Sequence, residues 1–274
     1  MRKALIVGIS DYNSRYGSLP GCLNDMQEWR DLLVSTFKFQ PDDIRLLAND
    51  RATKAEILIR LEWLFSSTDV DSLVFCFAGH GASIRRREYD TGDLLDHMDE
   101  ALVSYPTSAA EDIQDHLIFD DDLAEIISRQ NIELTNKLTL VFDACHAGGM
   151  LRDILINVDD AYLPRSIVMP PDVASRELSA TALKTRRIGA LQGLEPRHVI
   201  CAAAKDIESA WDARMEDGLR HGAFSYSATR SLMQNPTMTL KELTDITGQK
   251  LALKFPQHPQ LLGNEERYNL PFTV

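Results

Sequence analysis

Apolar positions along the chain alternate between two patterns, short continuous runs and stretches with helical spacing. A continuous run is typical of a strand buried on both faces, and helical spacing indicates an amphipathic helix. The runs predict strands at residues 4–9, 43–47, 72–77, 137–142, 198–203 and, at an edge, 261–272. The helical stretches are residues 23–37, 54–65, 121–128, 224–233 and 240–254. This order predicts an α/β fold with a mostly parallel central sheet flanked by helices on both faces.

Polar residues mark where several of these helices begin. Capping-box patterns begin two helices, at Thr53 and at Thr239. For the first helix, Asn24 or Asp25 is the expected amino-terminal cap. Within the acidic stretch that follows the third strand, we expect residues 100–105 to form a small ribbon.

The periodic pattern stops between residues 149 and 196, a stretch of 48 residues with several prolines and scattered basic residues. A loop of this length inside a compact domain is uncommon unless it is functional or mobile. We therefore expect one domain over residues 1–274, in which a flexible linker at residues 149–196 joins two ordered parts, 1–148 and 197–274.

The composition favours a globular protein whose cysteines are reduced. With 274 residues and 44% hydrophobic content, the chain can bury a sizeable core. Its apolar runs are far shorter than the roughly 18 residues of a membrane span, and the first run meets Asp11 too soon for a signal peptide. The four cysteines lack metal-finger or knottin spacing, which favours free thiols. We expect a cytoplasmic protein without a membrane partner.

The net charge of −12 arises from one segment. Between Asp90 and Glu125 the chain has twelve acidic residues and no Lys or Arg, so the other 29 acids balance 29 basic residues. Such a patch repels nucleic acid and attracts either a divalent cation or a basic partner. A solvated acidic loop is the alternative interpretation.

Two predicted strands end on residues that carry chemistry. The run at 72–77 is followed by His80 between two glycines, and the run at 137–142 leads to Cys145. Open α/β sheets place their sites at the carboxyl ends of their strands. An imidazole can take the proton of a thiol, so the two residues are candidates for a base and a nucleophile. Gly81 adds an unobstructed amide for a developing oxyanion.

Other interpretations of the same residues stay open. Cys145 as a small buried hydrophobe and His80 as a turn residue need no chemistry. A zinc site from Cys145, His146 and His80 is another alternative, although adjacent ligands give an awkward chelate and the sequence indicates no fourth ligand. Because neighbouring side chains on an extended segment point in opposite directions, we expect a structural role for His146.

The residues Phe77-Ala-Gly-His-Gly81, followed by Asp143-Ala-Cys-His-Ala-Gly148, resemble the His and Cys motifs of the caspase fold, in its metacaspase and bacterial orthocaspase branch. Further segments match that family in the same order: residues 3–9, 19–25, 98–102, 120–123 and 221–225. The resemblance covers essentially the whole chain. It implies the caspase-haemoglobinase fold and a cysteine endopeptidase, with residues 1–148 as the large-subunit-like part and 197–274 as the small-subunit-like part.

The resemblance also implies a role for each residue of the site. Cys145 would be the nucleophile and His80 the general acid and base. The amides of Gly81 and Cys145 would form the oxyanion hole. No cofactor is required for this chemistry.

An acidic substrate pocket is implied as well. Asp143 lies two residues before the nucleophile, and Asp25 belongs to a Cys-x-x-Asp pattern that begins at Cys22. Two partly desolvated carboxylates attract a guanidinium and repel a substrate carboxylate, so we expect cleavage after Arg or Lys. Metacaspases often have Ser two residues before the histidine. This chain has Ala78 there, which removes one pocket hydrogen bond.

Calcium is the metal that the resemblance implies. Family members that need it bind it through carboxylates from the region matching Asp96 or Asp99 and Asp120 to Asp122, and through an acid shortly after the nucleophile, here Asp153, whereas other members work without it. Oxygen-rich clusters of this kind favour hard cations.

The linker joins the two subunit-like parts and contains several basic residues. An enzyme that cuts after basic residues can cleave itself there, and Arg186 or Arg187 is our predicted processing site. A basic linker lying across an acidic pocket would equally act as an inhibitory plug.

We expect protein substrates with exposed Arg or Lys sites, and a monomer that binds neither nucleic acid nor membrane. Two rival functions stay open. One is a catalytically silent caspase-like scaffold that binds partners through its acidic face. The other is a clan relative with a different specificity or with transpeptidase activity.

Overall fold

The computed structural model describes residues 1–87, 98–108, 112–145, 162–167, 175–177, 197–205 and 208–273. Its strands are β1 (Arg2–Gly8), β2 (Ile44–Ala48), β3 (Ser72–Ala78), β4 (Gly81–Arg87), β5 (Met98–Val103), β6 (Leu117–Phe119), β7 (Leu138–Asp143), β8 (Tyr162–Pro164), β9 (Ser175–Glu177), β10 (Val199–Ala202), β11 (Trp211–Arg214), β12 (Arg220–Gly222) and β13 (Gln260–Gly263). The α-helices are α1 (Cys22–Ser35), α2 (Lys54–Leu64), α3 (Asp120–Ser128), α4 (Ile132–Thr135), α5 (Ala223–Gln234) and α6 (Leu240–Leu251).

Six strands form the central sheet, in the order β13-β10-β7-β3-β1-β2. All neighbours pair in parallel except β13, which lies antiparallel at the edge beside β10. The predicted mostly parallel sheet is therefore confirmed, including its edge strand. The carboxyl ends of β3 and β7 lie next to each other, which determines where the candidate residues meet.

Helices cover both faces of this sheet because its strands are apolar on both sides. On β1, Leu5 and Val7 belong to one core cluster, and Ala4 and Ile6 belong to the other. The first cluster contains apolar residues of α2 and α3, and the second contains apolar residues of α1, α5 and α6. This period of two is typical of a strand between two layers.

Two smaller sheets lie beside the central one. One has the order β12-β11-β8 and the other β6-β5-β4-β9. The predicted ribbon at residues 100–105 corresponds to β5, which pairs with β4 and β6. Two of these strands, β8 and β9, come from the predicted linker at 149–196, so the described part of that stretch includes paired strands.

The first helix differs from its prediction at its amino end. Its cap is Gly21, without a side-chain hydrogen bond, rather than Asn24 or Asp25. The side-chain amide of Asn24 donates to the carbonyl of Arg220, and the carboxylate of Asp25 belongs to the site described below. The two predicted capping boxes lie where the sequence indicates. Thr53 accepts a hydrogen bond from the amide of Glu56, and Thr239 forms the complete box. None of the described helices is long and apolar enough to cross a membrane.

Candidate active site

His80 and Cys145 lie just beyond the ends of adjacent parallel strands. Ala78 of β3 is paired with Asp143 of β7, and each candidate residue follows its paired position by two residues. The amide of Gly79 extends the contact by donating to the carbonyl of Asp143 at 3.3 Å. His80 is 4% exposed and Cys145 2% exposed. The sheet register thus places the two side chains at one buried edge, as the sequence predicts.

The imidazole of His80 is fixed in one tautomer. Nε2 lies 2.7 Å from the carbonyl oxygen of Gly17, and because a carbonyl only accepts, Nε2 carries the hydrogen. Among the described residues, Nδ1 has no hydrogen-bond partner. Burial, with a smaller contribution from the charge of Arg165, lowers the pKa of His80 to about 4. His80 is therefore neutral near pH 7, with its lone pair on Nδ1.

Tyr12 supports the main chain of His80. Its hydroxyl accepts a hydrogen bond from the amide of His80 at 2.8 Å, and the two ring centroids are 4.9 Å apart. Burial raises the pKa of Tyr12 well above its ordinary value, so the hydroxyl stays protonated. Gly79 packs closely here, since a β-carbon on it would lie 2.5 Å from the Tyr12 hydroxyl.

Two backbone amides converge on one carbonyl oxygen beside Cys145. The amide of Gly81 and the amide of Cys145 both donate to the carbonyl of Arg165, at 2.9 and 3.1 Å. A pair of amides aimed at one oxygen is the geometry that stabilises an oxyanion in acyl transfer. Gly81 can approach this closely because a β-carbon there would overlap the carbonyl of Cys145.

The side chain of Arg165 fills a pocket of three carboxylates, Asp25, Asp143 and Asp212, which we call the acidic pocket. Arg165 is fully buried. Its nearest contact is to Asp25 at 2.5 Å, and it lies 3.2 Å from both Asp143 and Asp212. Burial alone would lower the pKa of Arg165, but the surrounding carboxylates outweigh it and hold the pKa well above its ordinary value. The guanidinium is therefore a permanent cation at this position.

Each carboxylate of the acidic pocket has further donors that hold it in place. Asp25 accepts from the amide of Gly222 at 2.9 Å, and Asp143 accepts from the amide of Ser225 at 2.9 Å. Asp212 accepts from the amide of Gly21 and from the side chain of Arg220, both at 2.8 Å. Gly21 and Ser225 lie at the beginnings of α1 and α5, where helix dipoles favour negative charge.

Two of the carboxylates differ in their electrostatic surroundings. Burial raises the pKa of Asp143 even though Arg165 acts to lower it. Asp25 has a second neighbour that is cationic when protonated, since Nδ1 of His221 lies 3.2 Å from its Oδ1 and the pKa of His221 is raised. The acidic pocket thus holds anionic oxygens that need a cation to balance them.

Gly222 forms one wall of the acidic pocket. A β-carbon at this position would overlap Oδ2 of Asp143 and would lie 2.5 Å from the Arg165 guanidinium. The remaining predicted pocket residues, Cys22 and Ala78, pack with Leu19 in a small apolar cluster. Burial raises the pKa of the Cys22 thiol well above its ordinary value, so Cys22 is a neutral, packed side chain.

The backbone on either side of Arg165 pairs with other parts of the site, and the chain bends at Arg165 itself. Tyr162, Leu163 and Pro164 pair antiparallel with β11, and the amide of Arg165 donates to the carbonyl of Ala210 at 2.9 Å. On the other side of Arg165, the amide of Ile167 donates to the carbonyl of Gly81 at 2.9 Å. We call residues 162–167 the bound segment. It is hydrogen bonded to the protein on both sides of the Arg165–Ser166 peptide bond.

Several residues of this site were not singled out from the sequence. Asp212 lies on a short strand without a strong apolar pattern, and the contribution of Gly17 is a carbonyl that every residue type has. Tyr12 belongs to none of the motifs that point to a function. Arg165 was one of several basic residues in the linker, and only its position in the fold distinguishes it.

Other predicted residues lie outside the described parts of the chain, in the gaps between residues 87 and 98, between 145 and 162, and between 177 and 197. His146, Asp96, Asp153, Arg186 and Arg187 are among them, so the structure does not place the zinc alternative or the predicted processing site. The backbone of Asp99 is described, but its side chain is not.

Asp120 and Asp121, predicted as calcium ligands, begin α3. Phe119, the residue before them, pairs with Ala101 of β5. Asp99 lies two positions before Ala101 on the same strand, so the sheet register brings its backbone towards the start of α3. Asp122, which the resemblance includes in the same acidic set, instead caps the helix by accepting from the amide of Phe119 and pairs with Lys54 at 2.8 Å.

Comparison with known sequences identifies the family. The sequence profile of the metacaspase, peptidase C14 domain matches residues 2–154, more than half of the chain. The chain belongs to the metacaspase family. Metacaspase-1 of Eremothecium gossypii is 28% identical over 301 residues, which is 95% of this chain and 63% of the relative. Metacaspase-1A of Aspergillus terreus is 29% identical over 296 residues, 95% of this chain and 70% of the relative.

Solved structures show that this metacaspase-family chain has a caspase-like fold. A protein of Geobacter sulfurreducens matches it with a TM-score of 0.68 at 17% identity, covering 100% of this chain and 98% of that one. Caspase-1 from Spodoptera frugiperda matches with a TM-score of 0.55 at 14% identity, covering 95% of this chain and 85% of that one. The predicted fold class is confirmed by these matches and by the central sheet.

Proposed function

We propose that this metacaspase-family chain is a cysteine endopeptidase that cleaves proteins after Arg or Lys, with Cys145 as nucleophile and His80 as general acid and base. The placement of Arg165 is the observation that carries the proposal. Its guanidinium occupies the acidic pocket, while its carbonyl accepts from the amides of Gly81 and Cys145. That is how the residue on the amino side of a cleaved bond would bind.

The first chemical step forms an acyl-enzyme. The Cys145 sulfur attacks the carbonyl carbon and the thiol proton passes to Nδ1 of His80, which is unprotonated because Nε2–H is held by Gly17. Negative charge develops on the carbonyl oxygen, where the amides of Gly81 and Cys145 stabilise it. The carbon–nitrogen bond then breaks, and His80 gives its proton to the departing amine.

The second step hydrolyses the thioester. A water molecule loses a proton to His80 and adds its oxygen to the acyl carbon. The carbon–sulfur bond breaks, the product leaves as a carboxylic acid, and the proton on His80 returns to the sulfur of Cys145. A neutral His80 suits both steps, because the base must be unprotonated before each attack.

Substrate specificity follows from the charge of the acidic pocket. Three buried carboxylates stabilise a guanidinium and exclude a substrate carboxylate. Arg offers a planar set of five donors, whereas Lys offers one ammonium. We therefore expect Arg to be preferred to Lys, and Asp to be rejected. Proteins with accessible Arg or Lys sites are the proposed substrates.

The Arg165–Ser166 bond is the proposed site of self-cleavage. While the bound segment stays in place, it keeps other substrates out of the acidic pocket, so the same contacts make it an inhibitory plug before cleavage. Processing at Arg186 or Arg187 stays a prediction alongside it. A chain already cut at Arg165 would release the pocket for substrates in trans.

Calcium binding by Asp99, Asp120 and Asp121 is part of the proposal. Carboxylate oxygens suit calcium, and the sheet register places these positions at one end of β5 and β6. Bound calcium would neutralise part of the acidic segment and supply no step of the chemistry. Thermal melting with calcium or with a chelator tests this, with Asp120→Asn and Asp121→Asn expected to remove the calcium-dependent shift.

Matched peptides test the proposed reaction. Fluorogenic peptides that differ only in ending with Arg, Lys, Asp or Leu are incubated with the wild type and with Cys145→Ala, with and without calcium. Cleavage after Arg and Lys that is absent in Cys145→Ala supports the proposal. Cleavage after Asp would contradict the role of the acidic pocket, and a folded protein inactive on every peptide would support the scaffold alternative.

A further inference from the structure

The chain continues to bind the protein beyond the bond proposed to be cleaved. Arg165 fills the acidic pocket, and the next residues, Ser166 and Ile167, remain in contact with the active site. Ser166 forms an isolated parallel bridge with Gly81. Both residues are buried, with Ser166 8% exposed and Ile167 6% exposed. The protein therefore contacts the residues after the cleaved bond, which leave with the amine, in addition to Arg165 before it.

Gly81 makes one main-chain hydrogen bond on each side of this bond. Its amide donates to the carbonyl of Arg165, and its carbonyl accepts from the amide of Ile167, each at 2.9 Å. The Arg165–Ser166 bond lies between these two contacts. One residue thus binds the oxygen where charge would develop and also the backbone two residues further along the substrate.

The side chain of Ile167 enters the hydrophobic core. It belongs to the core cluster that contains Ala82 and Ile84 of β4 and Ala144, the neighbour of Cys145. By contrast, Tyr162 at the other end of the bound segment is 42% exposed. Burial of an aliphatic side chain stabilises binding in proportion to the apolar area removed from water. The position of Ile167, after the cleaved bond, is therefore more enclosed than the position of Tyr162, at the far end before it.

We propose that the enzyme has a substrate subsite for the second residue after the cleaved bond, and that this subsite selects an aliphatic side chain with a free backbone N–H. Gly81 would bind the N–H, and the apolar core cluster to which Ile167 belongs would bind the side chain. This inference rests on the proposed function, since it extends the same site. Substrates would therefore be selected by Arg before the bond and by an aliphatic residue two positions after it.

Quenched fluorescent hexapeptides with the sequence of residues 162–167 test the proposal. The variants carry Ile167→Val, Ile167→Asp or N-methyl-isoleucine at the last position, and a fourth carries Tyr162→Ala as a matched control at the exposed end. They are assayed with the self-cleaved wild type and with Arg165→Ala, which lacks the guanidinium that contacts Asp25, Asp143 and Asp212 together.

The Asp peptide should lose about 10-fold or more in kcat/KM, because it forfeits the burial of an aliphatic side chain. Loss of one main-chain hydrogen bond should cost the N-methyl peptide about 3- to 10-fold. The Val peptide should stay within about 4-fold of the parent, since it loses one buried methylene. The Tyr162→Ala peptide, which loses a partly exposed ring packed against Phe255, should lose less than the Asp peptide.

In the full chain, Ile167→Asp should slow the appearance of a fragment ending at Arg165, while Ile167→Val should not. Equal rates for all Arg peptides would overturn the subsite and leave the proposed peptidase function intact. Failure to cleave any Arg peptide, with either enzyme, would instead contradict the proposed function, and the subsite would fall with it.

Discussion

The guanidinium of Arg165 lies 2.5 Å from Oδ2 of Asp25, and both side chains are fully buried. Taking two charges out of water is costly, and removing one partner of a buried pair leaves the other uncompensated, at a cost of about 3–5 kcal/mol. When the bound segment leaves, another cation must therefore enter the acidic pocket or a carboxylate must take up a proton. This is a physical reason for the pocket to select substrates with a guanidinium.

Neutralising a carboxylate of the acidic pocket should reduce cleavage after Arg. Charge-assisted hydrogen bonds contribute about 1.5–3 kcal/mol each, so Asp25→Asn or Asp212→Asn should lower kcat/KM for an Arg peptide by about 10- to 100-fold. Steady-state kinetics checks this, with Asp245→Asn on the exposed surface of α6 as the control. Unchanged kinetics in both pocket variants would rule out these carboxylates as the specificity determinant.

Adding one methyl group to the pocket wall should block it. In Gly222→Ala the new β-carbon would overlap Asp143 and crowd the Arg165 guanidinium, so we expect loss of activity on Arg peptides, seen mainly as a raised KM. The matched control is Gly248→Ala, whose β-carbon would meet only Pro259 at an ordinary 3.7 Å. Full activity of Gly222→Ala would show that substrates bind elsewhere.

The Tyr12 hydroxyl should matter for both stability and activity. Tyr12→Phe leaves the buried amide of His80 without its acceptor, which should lower the free energy of unfolding by about 1–3 kcal/mol. We also expect reduced kcat, because the main chain that carries His80 is no longer held. Urea unfolding and peptide kinetics measure the two effects. Tyr268→Phe, which removes a hydroxyl far from His80, is the control and should retain activity.

His221 should make stability depend on pH. Burial acts to lower the pKa of His221, but hydrogen bonding to Asp25 and the charges of Asp25, Glu28 and Asp217 raise it above its ordinary value of 6.5. The folded state therefore binds this proton more tightly than the unfolded state. The stabilisation is complete below pH 6.5 and is lost as the pH rises through the folded-state pKa.

Replacing this histidine should remove that dependence. The difference in unfolding free energy between the wild type and His221→Gln should be larger at about pH 5.5 than at about pH 9. His258→Gln, at an exposed histidine paired with Glu208, serves as the control. If the difference in unfolding free energy between the two proteins grew with pH, it would contradict a His221 proton that Asp25 stabilises in the folded state.

Much of this fold was predictable because its strands are local apolar patterns. The runs that became β1, β3 and β7 bury both faces, so periodicity alone identifies them, and their parallel order places His80 and Cys145 together. The β11–β12 hairpin was missed because its strands are short and mixed in polarity. It gains its order from pairing with β8, which lies far away in sequence.

The acidic pocket shows the same division between local and distant information. Asp25 near a helix start fits a capping pattern, yet its carboxylate accepts instead from Gly222, 197 residues away. The motif resemblance identified Asp25 and Asp143, but Asp212 has no local signal. The choice of Arg165 over the other basic residues of the linker depends on how β8 aligns with β11, which no local pattern encodes.

The new chain end formed by self-cleavage shows most directly whether Arg165 binds as a substrate residue. Purified wild type, Cys145→Ala and Arg165→Ala are incubated and analysed by intact-mass and terminal-peptide mass spectrometry. We expect a fragment ending at Arg165 in the wild type, absent from both variants. A wild-type chain that stays intact at Arg165 while it cleaves Arg peptides at full rate, or a Cys145→Ala chain cut at the same bond, would contradict it.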